Sequence, residues 1–94
     1  VSRRRYLLAY DIADPKRLRE THRTAKRYGY PLQYSLFVCD LDAVELTKLR
    51  WDLGRVISQP VDRVAIIDLG DAAKVTFEFL GVRPHIPGGS ATIV

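Results

Sequence analysis

The stretch Arg5–Gly29, RYLLAYDIADPKRLRETHRTAKRYG, decides the fold, because its periodicity changes once and a cap marks the change. Tyr6 to Ile12 is a short apolar run rich in strand formers, and Asp14-Pro15 stops it. An Asp side chain accepts orphan backbone N–H groups, and a following Pro has no N–H to leave unpaired, so the pair reads as a helix start. The helix is predicted from Pro15 to Tyr28, closed by Gly29. At about 100° per residue Leu18, Thr21, His22, Ala25 and Tyr28 share one side of it. Lys16, Arg19, Arg23, Lys26 and Arg27 share the other, interrupted only by Glu20.

Beyond Gly29, Pro31 to Leu41 reads as extended, one kinked strand or two short ones, with Tyr, Phe, Val and Cys and no helical period. Asp42 opens a second helix, Glu45 completes a capping box, and Leu46, Leu49, Leu53, Val56 and Ile57 form the buried stripe. Ser58-Gln59-Pro60 ends it. Val61 to Leu69 is a further strand, Gly70-Asp71 a turn, and Val75, Phe77 and Phe79 alternate with polar residues as a half-buried strand. From Val82 onward Pro84, Pro87, Gly88 and Gly89 mark a loop, with room for a last strand at Ala91–Val94.

This order predicts an α+β sandwich of the ferredoxin-like kind, two helices on one face of a small, mostly antiparallel sheet. Residues 1–81 form the domain and 82–94 a tail. The other sheet face and the Val75–Phe79 edge would stay apolar and uncovered, which predicts a homodimer that buries them.

Ninety-four residues suit one domain with a modest core. A formal charge of +4 permits a polyanionic partner without requiring one. The distribution says more: Arg3, Arg4, Arg5, Lys16, Arg17, Arg19, Arg23, Lys26 and Arg27 crowd the beginning, with only Asp11, Asp14 and Glu20 against them. Cys39 is the single cysteine, which excludes an internal disulfide and a multi-cysteine zinc site. The apolar runs are too short to span a bilayer and the N-terminal stretch lacks a signal-peptide pattern, so the expectation is a cytoplasmic protein without membrane contact. A first residue that is Val rather than Met points to a processed or trimmed chain.

Taken in order, an apolar strand ending in Tyr10-Asp11-Ile12, then Asp14, Lys16, Arg17 and a basic helix closed by Tyr28-Gly29, then Gln33-Tyr34-Ser35-Leu36-Phe37, resemble one known family. It is the small CRISPR-associated endoribonuclease family, the second Cas protein, which partners the CRISPR integrase in spacer acquisition. The resemblance covers roughly residues 5 to 80. It implies a ferredoxin-like fold and a homodimer with facing sheets, in which a C-terminal strand, here Val75–Phe79, joins the partner subunit's sheet. It carries the family's metal-binding aspartate onto Asp11, with Tyr10 beside it, and the Ser and Phe of the second-strand motif onto Ser35 and Phe37. The family often has an acidic residue after that Phe; Val38 stands here, so no second carboxylate is implied. Residues after Gly81 match no pattern of the family.

The residues alone leave two readings of Asp11 open, a strand-end acid that caps backbone or pairs with a cation, and a metal ligand. A lone carboxylate makes a poor Mg²⁺ site, but a two-fold axis would bring two together. Asp11 of both subunits would then share one Mg²⁺ or Mn²⁺ able to polarise a phosphodiester and activate water. Asp14 reads as an N-cap. Ser35 has no triad partners in view and is expected to bond a phosphate or nearby backbone, while His22 and His85 lack ligand spacing and read as structural. Tyr10, Tyr34 and Phe37 could stack on bases, although Phe37 fits the core better.

The basic helix, with Lys16, Arg17, Arg19, Arg23, Lys26 and Arg27, is either a solvated face or a phosphate-binding surface for duplex DNA or RNA that is indifferent to sequence. Two functions follow from the resemblance and these residues. One is a metal-dependent endonuclease acting on RNA or DNA in CRISPR adaptation; the other is a non-catalytic DNA-binding scaffold that bridges integrase dimers. A ferredoxin-like regulatory or RNA-binding module is a third and weaker reading, since its glycine-rich or double-aromatic signatures are missing.

Overall fold

Alternation along the first strand, β1 (Arg4–Asp11), sorts the molecule into layers: Tyr6, Leu8 and Tyr10 are buried while Asp11 is exposed. The computed structural model describes residues 3–84 and 91–93. Asp14 caps helix α1 (Pro15–Lys26), its carboxylate accepting the Arg17 N–H at 2.9 Å. The helix stops short of the predicted Tyr28, and the Tyr28 and Gly29 N–H groups both fold back onto the Ala25 carbonyl. Residues 31–41 resolve into two strands, β2 (Tyr30–Gln33) and β3 (Leu36–Leu41), joined by a tight turn at Tyr34-Ser35.

Helix α2 (Ala43–Val56) starts with the full capping box: Asp42 Oδ1 accepts the Glu45 N–H at 2.8 Å and Glu45 Oε1 accepts the Asp42 N–H at 3.0 Å. Strand β4 (Arg63–Asp71) runs two residues later than expected at both ends. Gly70-Asp71, expected as a turn, belongs to this strand, with Gly70 at φ +99° and Asp71 capping a short 3₁₀ turn at Ala72–Lys74. The backbone turns one position later because β1 keeps pairing as far as Arg4 opposite Asp71, across a register shift between Arg5 and Tyr6.

The four strands form an antiparallel sheet in the order β2-β3-β1-β4, the ferredoxin-like arrangement, with both helices on one face. Pro31 lies in the outer strand β2, where a missing N–H disrupts least. Leu8, Phe37, Cys39 and Leu49 are wholly or almost wholly buried, and Ala25, Leu46 and Leu53 close the core from the helices. Each large apolar side chain there contributes about 1.5–3 kcal/mol.

Of the expected strand Val75–Phe79 only β5 (Phe77–Phe79) forms, and it pairs in parallel with β6 (Ala91–Ile93) of the same chain, where the sequence leaves room for a last strand at Ala91–Val94. The Pro87–Gly89 loop and His85 lie outside the described residues.

On the sheet face away from the helices, Arg5 is 6% exposed and makes a bidentate pair with Asp40, at 2.7 and 2.8 Å. It also donates to the Val75 carbonyl at 3.2 Å and lies 5.3 Å from the Phe77 ring centre, so it pins the β5 segment to the sheet. Among the described residues no helix is long and apolar enough to cross a membrane.

Candidate functional site

Asp11 ends β1 on the face opposite the core and sits in register with Arg63 of β4. Among the described residues it makes no ion pair within 4 Å, whereas Asp14, Asp40, Asp52, Asp62 and Asp68 all do. The capping or pairing role that the residues left open is therefore filled by other acids. Asp11 borders a groove of about 650 Å³ along the β4 edge, whose walls also hold Arg50, Gln59, Asp62 and Arg63.

Asp62 is the groove's second carboxylate, and its acceptor capacity is spent. Its side chain is 1% exposed, takes Arg17 Nε at 2.8 Å and Nη2 at 3.3 Å, and accepts the Ser58 N–H at 2.7 Å. The Arg17 hydrogen bond first, then that of Ser58, holds its carboxyl below the usual carboxylate range. A depressed folded-state pKa gives stability that is present above the unfolded value and lost as pH falls through the folded one. Asp62→Asn is therefore expected to lower the thermal midpoint at pH 7, with the gap from the parent closing below about pH 4, where the unfolded carboxylate protonates. Midpoints at pH 7 and 3 by circular dichroism check this; an equal gap at both would contradict it.

Tyr10 and Phe37 stand behind Asp11, on the core side of the sheet. Phe37 is fully buried, and the Tyr10 hydroxyl lies 3.0 Å from both His22 Nδ1 and the Tyr34 carbonyl. Burial, with the neighbouring Tyr34 phenol adding to it, pushes the Tyr10 phenol up to about 12, so it stays a proton donor. Ser35 is half-buried in the β2–β3 turn, and its carbonyl accepts the Tyr10 N–H at 3.2 Å. These three residues brace the strand end that carries Asp11, and of them only Tyr10 joins Asp11 in lining the groove. Cys39 is buried in the core, which raises its thiol to about 12, Asp40 adding to the effect, and leaves it inert.

The basic residues of the first 27 positions divide into two sets. Arg3 pairs with Glu45, Arg4 with Asp68 at 3.0 Å, Arg5 with Asp40, Arg17 with Asp62 and Arg27 with Asp52 at 3.3 Å. Lys16, Arg19, Arg23 and Lys26 are exposed on α1 without an ion pair among the described residues. Of the predicted phosphate-binding set, Arg17 is thus committed to Asp62, and Arg27, 62% exposed, is held only by a surface pair. No cluster of three or more metal-ligating side chains occurs among the described residues, so one chain offers a cation Asp11 and little else.

Reading from sequence missed Asp62 and Arg63, for which nothing local signals a site, and missed the stacking of exposed Tyr34 on His22, whose ring centres lie 5.1 Å apart. Both depend on which strand ends meet across the fold.

The sequence model of the family described as CRISPR associated protein Cas2 matches residues 4–76. The CRISPR-associated endoribonuclease Cas2 1 of Rhodospirillum rubrum is 43% identical over 70 residues, covering 74% of this chain and 69% of its own. The corresponding Cas2 2 of Thermodesulfovibrio yellowstonii is 38% identical over 84 residues, 89% of this chain and 90% of its own. Among solved structures, a hypothetical protein of Thermus thermophilus superposes with a TM-score of 0.78 at 34% identity, over 88% of this chain and 96% of its own. Streptococcus pyogenes Cas2 superposes at 0.66 and 28% identity, over 70% of this chain and 86% of its own. The strand-end Asp11 and the basic α1 thus sit in a fold and a sequence shared with these proteins, and the chain belongs to the Cas2 family of CRISPR-associated proteins.

Proposed function

We propose that this chain acts in CRISPR adaptation as a homodimer that binds nucleic acid through backbone phosphates and cleaves phosphodiester bonds at Asp11. The observation that carries the binding half is the charge division on α1: Lys16, Arg19, Arg23 and Lys26 stay unpaired while the arginines of β1 are neutralised. Unpaired cations along one helix suit a polyanion whose phosphates recur regularly, and they carry no means of reading bases. The names of the relatives, endoribonuclease in most and endonuclease in Halalkalibacterium halodurans, support the chemical half.

Asp11 suits a divalent cation by being exposed and uncommitted, and two copies across a dimer axis would give the one or two carboxylates that Mg²⁺ or Mn²⁺ takes alongside water and phosphate. A cation there would polarise the phosphodiester and lower the pKa of a bound water. The chain's own part is to hold the strand end through Tyr10 and Ser35, and to lay the backbone on α1. The absence of a three-ligand cluster among the described residues favours a second reading, a scaffold that binds duplex DNA and bridges integrase dimers without chemistry.

Anisotropy titrations of a blunt duplex over a range of salt test the binding half. Arg19→Ala with Arg23→Ala is expected to weaken binding about tenfold at 150 mM salt and to flatten the log–log salt slope by about 0.9 for each phosphate no longer neutralised. An unchanged slope would reassign α1 as a solvated face.

A further inference from the structure

Tyr34 is 60% exposed at the tip of the β2–β3 turn, and its ring stacks on His22 of α1 at an interplanar angle of 17°. His22 in turn meets the buried ring of Phe37 edge-on, at 5.2 Å and 71°. The three rings form a column that starts in the core and ends at the surface. The turn carrying Tyr34 is held by its backbone: the Tyr34 carbonyl accepts the Tyr10 hydroxyl at 3.0 Å and lies 3.2 Å from His22 Nδ1, while the Ser35 carbonyl accepts the Tyr10 N–H. An exposed aromatic ring fixed in this way needs little ordering when a ligand arrives.

A cavity of about 260 Å³ opens beside the column, lined by Arg19, His22, Arg23, Lys26 and Tyr34. It falls just under the range of about 300–1,000 Å³ typical of drug-sized pockets, which suits one ring system rather than a larger ligand. Three cations with no acidic partner stand around a flat, solvent-facing ring, the combination that recognises a nucleotide: a π-face for the base and positive charge for its phosphate. An acidic peptide would satisfy the cations and leave the ring without a partner.

We propose that this cavity takes an unpaired base, stacked on Tyr34, with its phosphate held by Arg19, Arg23 and Lys26, so that the protein prefers nucleic acid with a single-stranded end. The proposal deepens the phosphate-binding reading of α1 and rests on it, while adding a ligand that a blunt duplex does not supply.

The test uses the full chain and two probes, a blunt duplex and the same duplex with a short overhang carrying 2-aminopurine at its first unpaired position. The overhang is expected to bind more tightly, with 2-aminopurine fluorescence quenched by stacking. Tyr34→Ala is expected to lose about tenfold in affinity for the overhang and to abolish the quenching, leaving the blunt duplex unaffected. Tyr34→Trp, which keeps a stacking face, restores both. Equal affinity for the two probes, or equal losses on both in Tyr34→Ala, overturns the proposal while the α1 reading stands. Tyr34-dependent binding of the overhang alone supports it and overturns the duplex reading; binding of neither probe overturns both.

Discussion

Alanine at position 29 is expected to destabilise the protein by about 3 kcal/mol or more, the upper end of the range for overpacking, and to lower its thermal midpoint by roughly 12 °C or more. The reason is space. A Cβ on Gly29 would lie 2.1 Å from the Val38 carbonyl oxygen and 2.6 Å from Cys39 Sγ, and the first of these atoms belongs to the backbone of β3. A flexible side-chain end could swing aside, but a strand in the middle of the sheet order cannot move without disturbing its pairing with β1 and β2. Gly29 is also where the chain leaves α1, its N–H closing onto the Ala25 carbonyl at 3.0 Å, so any relief would shift the helix that carries the cationic face. Gly54 in α2 is the control. Nothing lies within 4 Å of a Cβ there, and Gly54→Ala is expected to stabilise by about 0.5–1 kcal/mol through helix propensity and unfolded-state entropy. Thermal unfolding of both variants reads the contrast; a midpoint change under about 2 °C for Gly29→Ala would mean that α1 and β3 are not so closely packed.

The contrast between these glycines marks where sequence reasoning succeeds and where it stops. Signals that act within a few residues are legible: the Asp14-Pro15 helix start and the Asp42–Glu45 box form as their spacing dictates, because both partners lie on one turn of chain. The order of strands and helices follows from periodicity, and the ferredoxin-like topology from that order. Gly29 itself reads only as a helix terminator; that its hydrogen faces the β3 backbone is a tertiary fact.

Charge behaves in the same way. Arg5 and Asp40 are 35 residues apart, Arg17 and Asp62 are 45 and Arg4 and Asp68 are 64, so the basic beginning of the chain looks uniformly available until the fold pairs much of it. What survives as free cation from that basic beginning, Lys16, Arg19, Arg23 and Lys26, is narrower than the sequence suggests and all on one helix. The three aromatic residues considered for base stacking divide likewise: Phe37 and Tyr10 go to the interior, and Tyr34 stays exposed. The parallel pairing of β5 with β6 has no local signal either, since short strands joined through a Pro- and Gly-rich segment can pair in either sense.

Asp11→Asn is expected to reduce Mg²⁺-dependent cleavage of RNA or DNA by at least about a hundredfold, since the amide keeps the shape of the side chain but offers the ion no charge. The loss should come without a stability change, because the Asp11 side chain is exposed and unpaired among the described residues, so a midpoint that stays within about 1 °C separates chemistry from folding. The proposed two-fold arrangement adds a quantitative signature. When parent and Asp11→Asn chains exchange subunits at equal ratio, a cation that needs both carboxylates leaves about one quarter of the activity, whereas independent sites leave about one half. Activity near one half would remove the shared ion and leave each Asp11 to act alone. Metal-independent cutting would remove the cation from the reaction, while no cutting by the parent would remove the nuclease and leave the α1 cations, Lys16, Arg19, Arg23 and Lys26, as a surface that holds nucleic acid for another protein's chemistry.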